Sequence, residues 1–530
     1  MPSSLRPRRA VAGWRQVVLL AGLPLAACAT ATDRLRLAPS TPDQPLAIPS
    51  AFDELPRPGT VPAERTAPAT ALEARSPARP AEQAPTGSSV PDAQIRDLPR
   101  RNAVQIDPAR SYDLAALIDL AQRNNPETRV AWEGARQAAL AVGLAESSYV
   151  PQISAEIVGG YQHTPLPIPT NLIAKGYFTA DTRELIPALA AKWLLFDFGR
   201  RAGAVDSARA NSFVANVAFT GAHQKLIYAV SRDYFALGAA RARLRVARQS
   251  LKTAEIVQDA TEDRRSHQLA TVVEVAQARR QTAQARFNLE RATGMEHAAY
   301  AALIASVGIA PSDRLTVTDS SEQSLPAAPA GDLDQLIQTA LANRPDIIAA
   351  LGKVRAAEGT LRSARASYYP TIGLEAQIYQ NVGSLSTGGS PYYSVNEPGY
   401  NFLLKLSLPL YDGGARDANV AIAHSEISAA HDSLDQARDT AVQQVTNAYD
   451  ALHTSFAEHA AALTLTEAAQ TAYDAALDAY RHGVGTYTEL VNSENALTQA
   501  QSEKEDAHAN VFTAAAGLAF ATGSILSPPR

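Results

Sequence analysis

The sequence predicts a mainly α-helical protein with a smaller β portion, in which a unit of two strands plus long coiled-coil helices occurs twice. Three features support this fold class: a repeat with an offset of about 215 residues, proline-free helical stretches of about 60 residues, and a pair of short apolar segments before each stretch. Length alone would allow three or four domains in 530 residues, but the repeat favours two copies of one unit.

The repeat is clearest where two short segments interrupt an Ala-rich helical pattern. In the second copy Gly483 and Gly485 break the pattern, and a Thr-x-x-Glu capping box beginning at Thr486 restarts it. In the first copy the same Thr-x-x-Glu begins 215 residues earlier, at Thr271. Each copy is therefore predicted to contain a helix hairpin, and we call the turn of each hairpin its tip.

The N-terminus has the features of an exported protein. Residues 1–27 combine four arginines with an apolar run, as in a secretory signal peptide. The run ends in Leu-Ala-Ala-Cys, which resembles the lipobox of bacterial lipoproteins, and Cys28 is the only cysteine of the chain. We predict that Cys28 is lipidated, because a lone cysteine in an exported chain has no disulfide partner. An ordinary cleavage site with an incidental cysteine is the alternative.

The rest of the chain divides by composition. Residues 28–105, which begin with the lipidated cysteine, are rich in Pro and Ala and almost free of aromatic side chains, so we predict a disordered tether. The first repeat is expected over 106–310 and the second over 331–525. A linker, 311–330, separates them, and a short tail, 526–530, follows.

Each copy is predicted to begin with two helices. The first covers about 113–122; Asn125 can then cap a second helix, with Pro126 in its first turn, that stops before Pro151. Two apolar, β-rich segments follow in each copy and predict one β-hairpin per copy. The four predicted strands are Ile153–His163, Leu185–Phe198, Thr371–Val382 and Tyr400–Tyr411. The first copy has four extra residues in this region, which places a turn near Thr164–Thr170.

A very long helix is expected after each strand pair. No proline occurs from about Ala204 to Ser266, and large and small apolar residues alternate there at steps of three and four, as in a heptad seam. Such a stretch would form a rod on the order of 90 Å. We therefore expect closely interlocked helices rather than one large globular core.

Composition and motifs exclude several function classes. The net charge of −5 leaves no excess of basic residues for binding nucleic acid. The sequence contains no phosphate loop, dinucleotide fingerprint or Gly-x-Ser-x-Gly, and its histidines lack metal-ligand spacing. We therefore predict a protein that is not an enzyme and that has no cofactor and no metal site.

Strand counting predicts that copies of the chain associate. Past residue 30 there is no apolar run of 18 residues, so any membrane crossing would use strands. Four strands cannot close a barrel, and lipid does not tolerate open strand edges. Two chains would give eight strands around a filled interior, whereas three would give twelve strands and room for a lumen.

Taken in order, the motifs resemble those of the TolC-like outer-membrane efflux proteins over about 106–525. They are the duplicated Asn-x-Pro helix starts, Tyr-x-Pro before each strand pair, Phe196-Asp-Phe-Gly and Tyr411-Asp-Gly-Gly after it, and Tyr480-Arg-His-Gly-Val-Gly-Thr at the tip. The resemblance implies a homotrimer with a 12-stranded barrel in the cell outer membrane and a periplasmic α-helical barrel. It also implies the exit duct of a tripartite efflux or type I secretion system, with a periplasmic adaptor and an inner-membrane pump or ABC exporter as partners.

The resemblance also implies roles for the tips. The residues matching the tip that adaptors contact in the family are Leu269, Ala270, Thr271, Gly483, Val484, Gly485 and Thr486. Glu274 and Glu489 follow the tip threonines and could form a charged gate, although Asn492 stands where the family often has Asp. The alternative for both glutamates is a capping box within their own helices.

A function from another class stays open at this point. A lipid-anchored periplasmic coiled-coil scaffold without a pore would also use the signal, Cys28 and the long helices. Such a scaffold would have no use for two apolar hairpins, which favours the channel.

Overall fold

The fold is described by a computed structural model covering residues 37–44, 110–171, 175–310, 315–321, 323–327 and 332–526. The helices are α1 (Leu114–Asn124), α2 (Pro126–Glu146), α3 (Arg200–Ser266), α4 (Val272–Val307), α5 (Leu333–Asn343), α6 (Pro345–Ala366), α7 (Ala415–Arg481) and α8 (Tyr487–Ala521). The strands are β1 (Ser111–Tyr112), β2 (Gln152–Pro167), β3 (Tyr177–Phe196), β4 (Thr316–Val317), β5 (Thr371–Thr387) and β6 (Tyr393–Ser407). The predicted signal peptide and Cys28 lie outside the described residues.

The chain forms two compact units. The sheet unit consists of the described parts of Met1–Leu46 together with Arg129–Gly221 and Pro345–Asp439, and it holds β2, β3, β5 and β6. The tip unit consists of the described parts of the remainder and holds both helix-hairpin turns. The mainly helical, duplicated fold class predicted from the repeat is confirmed.

The second helix of each copy has a proline at its first position. Asn125 accepts a hydrogen bond from the Glu127 amide at 2.8 Å, as a cap should, and Pro126 opens α2. The Asn125 amide nitrogen also donates to the Ser306 carbonyl at 3.0 Å, near the end of α4. In the second copy Arg344 stands before the proline and donates to the carbonyl of Ala521, at the end of α8. Different side chains thus tie equivalent helix ends together.

The sheet unit contains one antiparallel sheet in the order β2-β3-β5-β6. The two predicted hairpins are present, but three strands continue further toward the loops than predicted: β2 to Pro167, β3 from Tyr177, and β5 to Thr387. The first loop, 168–176, is the longer of the two and lies where the extra residues predicted a turn. The prediction ended β2 too early because prolines read as loop signals, whereas an edge strand tolerates a missing N–H on its free side.

In β6 the prediction was displaced by several residues. The strand covers Tyr393–Ser407, whereas Tyr400–Tyr411 was expected. Pro398 lies inside the strand, because β6 is at the edge of the sheet and Pro398 pairs in register with Gln380. At the other end Leu408, Leu410 and Tyr411 continue the apolar pattern beyond the ladder. Apolarity alone therefore misplaced the strand.

Part of the predicted disordered tether is ordered. Residues 37–44 lie on α2 and α3: the Trp132 indole donates to the Pro39 carbonyl at 2.8 Å, and Asn216 donates to the Leu37 carbonyl at 2.6 Å. Ala38 is buried against Ala135 and Ala139 of α2. Small residues on both surfaces allow this close approach, which a composition argument averaged over the whole segment could not reveal.

The core of the tip unit forms around a small sheet that was not predicted. Residues 111–112 pair in parallel with residues 316–317 of the predicted linker, and Tyr112 and Val317 join an apolar cluster with Leu117, Tyr234 and Ile304. Strands of two residues carry no periodic signal, so they could not be predicted from the sequence. Among the described residues, no helix combines the length and apolarity needed to cross a bilayer.

Candidate functional site

The second tip is a tight turn between α7 and α8. Gly483 has a φ of +77°, in the left-handed region, and the amides of Val484 and Gly485 both donate to the Ala479 carbonyl at 3.0 Å. A Cβ on Gly485 would lie 2.9 Å from the Ala479 Cβ, so the chain passes too close there for a larger residue. The two glycines therefore have different tasks: one provides the backbone conformation and the other the space.

The first tip makes a similar turn without glycine. Gln268, which is equivalent to Gly483 in the repeat, has a φ of +64°. The Leu269 amide donates to the Arg264 carbonyl at 2.8 Å, and the Arg265 guanidinium donates to the Ala270 carbonyl at 3.2 Å. The first tip has Gln268 and Ala270 where the second has glycines, so a glutamine occupies the strained position.

The residues proposed for adaptor docking differ in exposure. Val484 is 83 % exposed and Leu269 68 % exposed, and Thr271, Gly483 and Thr486 are exposed as well. Gly485 is half-buried, and Ala270 is buried, with only 7 % of its surface exposed. Ala270 therefore cannot present its side chain to a partner in this conformation, because the turn packs it against the protein. The neighbouring Val272 and Val273 are exposed instead and were not among the predicted residues.

Both glutamates beside the tips form capping boxes. The Glu274 carboxylate accepts from the Thr271 amide at 2.6 Å, and the Glu489 carboxylate accepts from the Thr486 amide at 2.9 Å. In return each threonine hydroxyl oxygen accepts from the backbone amide of its glutamate at 3.2 Å. The hydrogen bond from the Thr486 backbone to the Glu489 carboxylate, and next a bond of that carboxylate with the Thr486 side chain, lower the pKa of Glu489. The structure thus shows the helix-capping alternative directly.

Beneath the tips, one aromatic cluster joins the two hairpins. Tyr480 and Tyr487 contact edge-to-face with centroids 5.9 Å apart, in a buried group with Val257 of α3 and Ala278 of α4. Arg264 of α3 stacks on the Tyr480 ring and donates to its carbonyl at 3.1 Å. Burial raises the pKa of Tyr487 to about 12, so this phenol stays neutral.

In the sequence, Tyr480 was identified only as part of the tip motif, and its packing between the two hairpins was not predicted. Nor was the burial of Glu494, which is 3 % exposed on α8. Leu490 and Leu497 lie one turn before and one turn after it on the buried stripe of that helix. This spacing was the available signal, because it places a carboxyl group in line with core leucines.

Over the part of the four-stranded sheet next to the helices, one face is apolar and the other is mainly polar. The cross-strand pairs put the apolar side chains on one side: Ile153, Ile157, Leu185, Leu189, Trp193, Leu374, Ile378, Phe402, Leu404 and Leu406. The other side carries Gln152, Glu156, Thr182, Glu184, Lys192, Glu375, Gln377, Asn381, Asn401 and Lys405. Many of the apolar side chains are exposed, including Leu404 at 72 %. A face of this kind needs an apolar environment.

A break in register keeps this pattern intact at the end of β3. The ladder between β3 and β5 shifts between Leu194 and Phe196, so Phe196 lies opposite Ile372 on the apolar face. Phe196 contacts Phe198 edge-to-face at 4.7 Å, and Phe198 stacks on Tyr369 at 5.3 Å. Together with Trp193 they form an aromatic group at the end of the apolar face, where membrane proteins place their interfacial rings.

The chain contains two strand hairpins, which form one antiparallel sheet with a lipid-compatible face, and each is followed by a long helix hairpin. This combination defines a class of membrane-embedded export proteins with an extended helical part. Comparison with known proteins identifies the family within that class. The family model described as "Outer membrane efflux protein" matches residues 117–309 and 336–524. The chain belongs to this family, which confirms the resemblance seen in its motifs. Members are outer-membrane channels rather than enzymes.

Individual relatives agree with this assignment. Outer membrane protein OprJ of Pseudomonas aeruginosa is 26 % identical over 321 residues, which cover 59 % of this chain and 63 % of OprJ. Cation efflux system protein CusC of Escherichia coli K12 is 28 % identical over 310 residues, covering 58 % and 64 %. The matches thus span slightly less than two thirds of these relatives. A crystal structure of CusC superposes with a TM-score of 0.66 over 81 % of this chain and 95 % of that one, at 23 % identity.

Proposed function

We propose that the chain is the outer-membrane exit duct of a tripartite efflux or type I secretion system. It passes substrates from an inner-membrane pump or ABC exporter, through a periplasmic adaptor, to the exterior. The observation that carries this proposal is the sheet, which has an apolar face, a polar face and, within the described residues, an unpaired edge on β2 and another on β6. Family membership supports the same function.

The open edges require other copies of the chain. A sheet edge exposes backbone N–H and C=O groups that lipid cannot satisfy, so β6 of one copy pairs with β2 of the next. Three copies supply twelve strands, with the polar faces lining a lumen wide enough for water. The helices continue the lumen as a periplasmic tunnel.

Conductance tests the channel directly. The purified protein in a planar bilayer should open water-filled pores, and a strain lacking the gene should regain export only when the protein is supplied. A chain that conducts no ions and leaves the membrane fraction without detergent once Cys28 is replaced by Ala would instead be the anchored scaffold.

We further propose that the exposed tip residues form the adaptor-docking surface. Val484 is the most exposed large apolar residue near the second tip, and two hydrogen bonds to the Ala479 carbonyl hold the turn that presents it. Val484→Asp should abolish export while leaving expression and assembly intact, because a charge is not accommodated in an apolar contact. Val484→Thr has nearly the same shape without charge and should retain most export. Full export by Val484→Asp would exclude docking at this residue.

Lipidation of Cys28 adds a second attachment to the membrane. One acyl chain binds a bilayer only marginally, so a lipid and the apolar sheet face together give stable anchoring. Metabolic labelling with an alkyne fatty acid should mark the parent chain and be lost in Cys28→Ala, while the protein remains in the outer membrane. Labelling that persists in the variant would exclude Cys28 as the modified residue.

A further inference from the structure

The tip unit buries a carboxyl group that none of the features above uses. Glu494 lies on α8, eight residues after the N-cap Thr486, and is 3 % exposed. Neither of its carboxyl oxygens has a hydrogen-bond partner among the described residues. An ionised carboxylate in such a place has lost its hydration without gaining a donor, which is a very unfavourable arrangement.

The surroundings of Glu494 are apolar and tightly packed. Leu490 and Leu497 of the same helix are buried on either side of it. Next to Glu494 in sequence, Asn495 accepts a hydrogen bond at 2.9 Å from Gln281 of α4, which fixes α8 against α4 at this level. The carboxyl group therefore lies where α8 packs on its neighbours, and it cannot reach water unless that packing loosens.

The groups around Glu494 supply no counter-charge. Tyr473 of α7 and Tyr487 of α8 are near enough for its charge to act on both hydroxyl groups, and burial raises the pKa of each. Both phenols are thus neutral at physiological pH. Tyr480 of α7 and Arg280 of α4 act on Tyr487, while Arg264 of α3 is bound to Tyr480. No cation forms an ion pair with Glu494 in the part of the chain that the structure describes.

The equivalent position in the first copy is arranged differently. Arg279, 215 residues before Glu494, is exposed and forms an ion pair with Glu262 at 2.9 Å. The first hairpin therefore has a solvated charge pair where the second has a buried single carboxyl group. Shared ancestry of the two copies does not explain Glu494, because its counterpart has the opposite charge and faces water.

We propose that Glu494 is a proton-binding site that couples the packing of α8 near the tips to the pH of the surrounding medium. The neutral carboxylic acid stays buried between the helices. When the proton leaves for water, the carboxylate draws the side chain toward solvent, and α8 separates locally from α4 or α7. If the chain acts as the proposed duct, acid would favour the packed tip region and alkali would loosen it.

The direction of the pH effect follows from the burial. Burial raises the pKa of Glu494 from its ordinary 4.5 to about 7. The packed state therefore binds the proton more tightly than the opened state. Its stabilisation is complete below pH 4.5, falls as the pH rises toward 7, and changes no further above that. The difference between the pKa values of Glu494 in the opened and packed states shifts the opening equilibrium on the order of 100-fold.

Hydrogen exchange on the full chain in lipid nanodiscs tests the proposal. The measured quantity is the protection of the α8 amides of residues 487–500, corrected for intrinsic exchange, from about pH 5 to about pH 8.5. Glu494→Gln keeps the shape of the side chain and removes the titration. Glu503→Gln is the matched control, because Glu503 is an exposed carboxylate on the same helix.

The parent chain and Glu503→Gln should lose protection on the order of 100-fold across this range, and Glu494→Gln should show a flat profile. A flat profile in the parent, or the same slope in Glu494→Gln, would overturn the proposal. If Glu494→Gln fails to assemble, infrared spectroscopy of the parent decides: a neutral carboxyl band that persists well above pH 4.5 is expected, and its absence contradicts the proposal. Neither readout requires transport, so the result is independent of the proposed channel.

Discussion

Two residues at equivalent positions, Gln268 and Gly483, show how much a single side chain can be varied at the tips. Both have positive φ, and a Cβ on Gly483 would meet no atom within 4 Å. The turn therefore depends on the backbone conformation and not on contacts of this residue. Glycine adopts the conformation freely, whereas a residue with Cβ is strained by about 1–2 kcal/mol. The sequence could predict the second turn from its glycines but not the conformation of Gln268.

Gly483→Ala should destabilise the second tip by about 1 kcal/mol, because only the cost of a left-handed φ changes. Local hydrogen exchange at residues 479–487 measures this loss. Gly485→Ala should cost more, since its Cβ would lie 2.9 Å from that of Ala479. Equal effects of the two substitutions would show that the turn is not formed as described.

The two capping glutamates test whether the tips also carry a gate. In Glu274→Gln, Glu489→Gln the first turns of α4 and α8 should exchange faster at neutral pH, because an amide accepts more weakly than a carboxylate. The pKa of Glu489 is lowered on folding, so its contribution is present above its ordinary 4.5 and disappears as the pH falls through the folded value. At the first turn of α8, parent and variant should therefore converge in acid.

Bilayer recordings of the same double variant separate the two roles. Unchanged cation selectivity and unchanged block by multivalent cations would leave these residues as caps only. A loss of selectivity would add a ring of charge to the capping role, since in the proposed trimer six carboxylates would surround one axis and attract cations.

At the scale of elements, the presence of the two strand hairpins could be predicted, but the residues at which the strands begin and end could not. Apolar, β-rich segments identified both hairpins, and the four extra residues of the first copy located its longer loop. The end of β2 was missed because its prolines read as loop signals, although β2 is an edge strand of the described sheet, where proline is tolerated. The register shift before Phe196 was invisible in the sequence, because it depends on pairing between β3 and β5.

Adjacent leucines of β6 provide a test of the apolar face. Leu404 lies on the apolar face and Leu403 on the polar face, and the two have the same side chain. Leu404→Arg should reduce stability in lipid by about 2 kcal/mol, because its charge faces the hydrocarbon, whereas Leu403→Arg should be tolerated and alter ion selectivity. Heat-modifiability on gels measures the first effect. Equal tolerance of both substitutions would contradict the assignment of the faces.

At the scale of the whole molecule, duplication explains most of what the sequence could reveal. Two copies predict two hairpins of strands and two of helices, and the structure contains both. The small sheet of β1 and β4 and the ordered residues 37–44 depend on contacts between segments far apart in sequence, so periodicity within any one segment could not predict them. The helical spacing of Glu494 could indicate its burial, but not that its carboxyl group lacks a hydrogen-bond partner among the described residues. In the part of the chain that the structure describes, the outer edges of β2 and β6 have no strand partner, so a single chain does not close the sheet.

The number of chains in the assembled particle tests the proposed channel most directly. Native mass spectrometry of the protein released from lipid nanodiscs should give three copies, because three four-stranded sheets close a barrel around an open lumen. A stable single chain would contradict the account, since its strand edges would be exposed to lipid. A dimer would contradict it too, because eight strands close around a filled interior that passes no substrate.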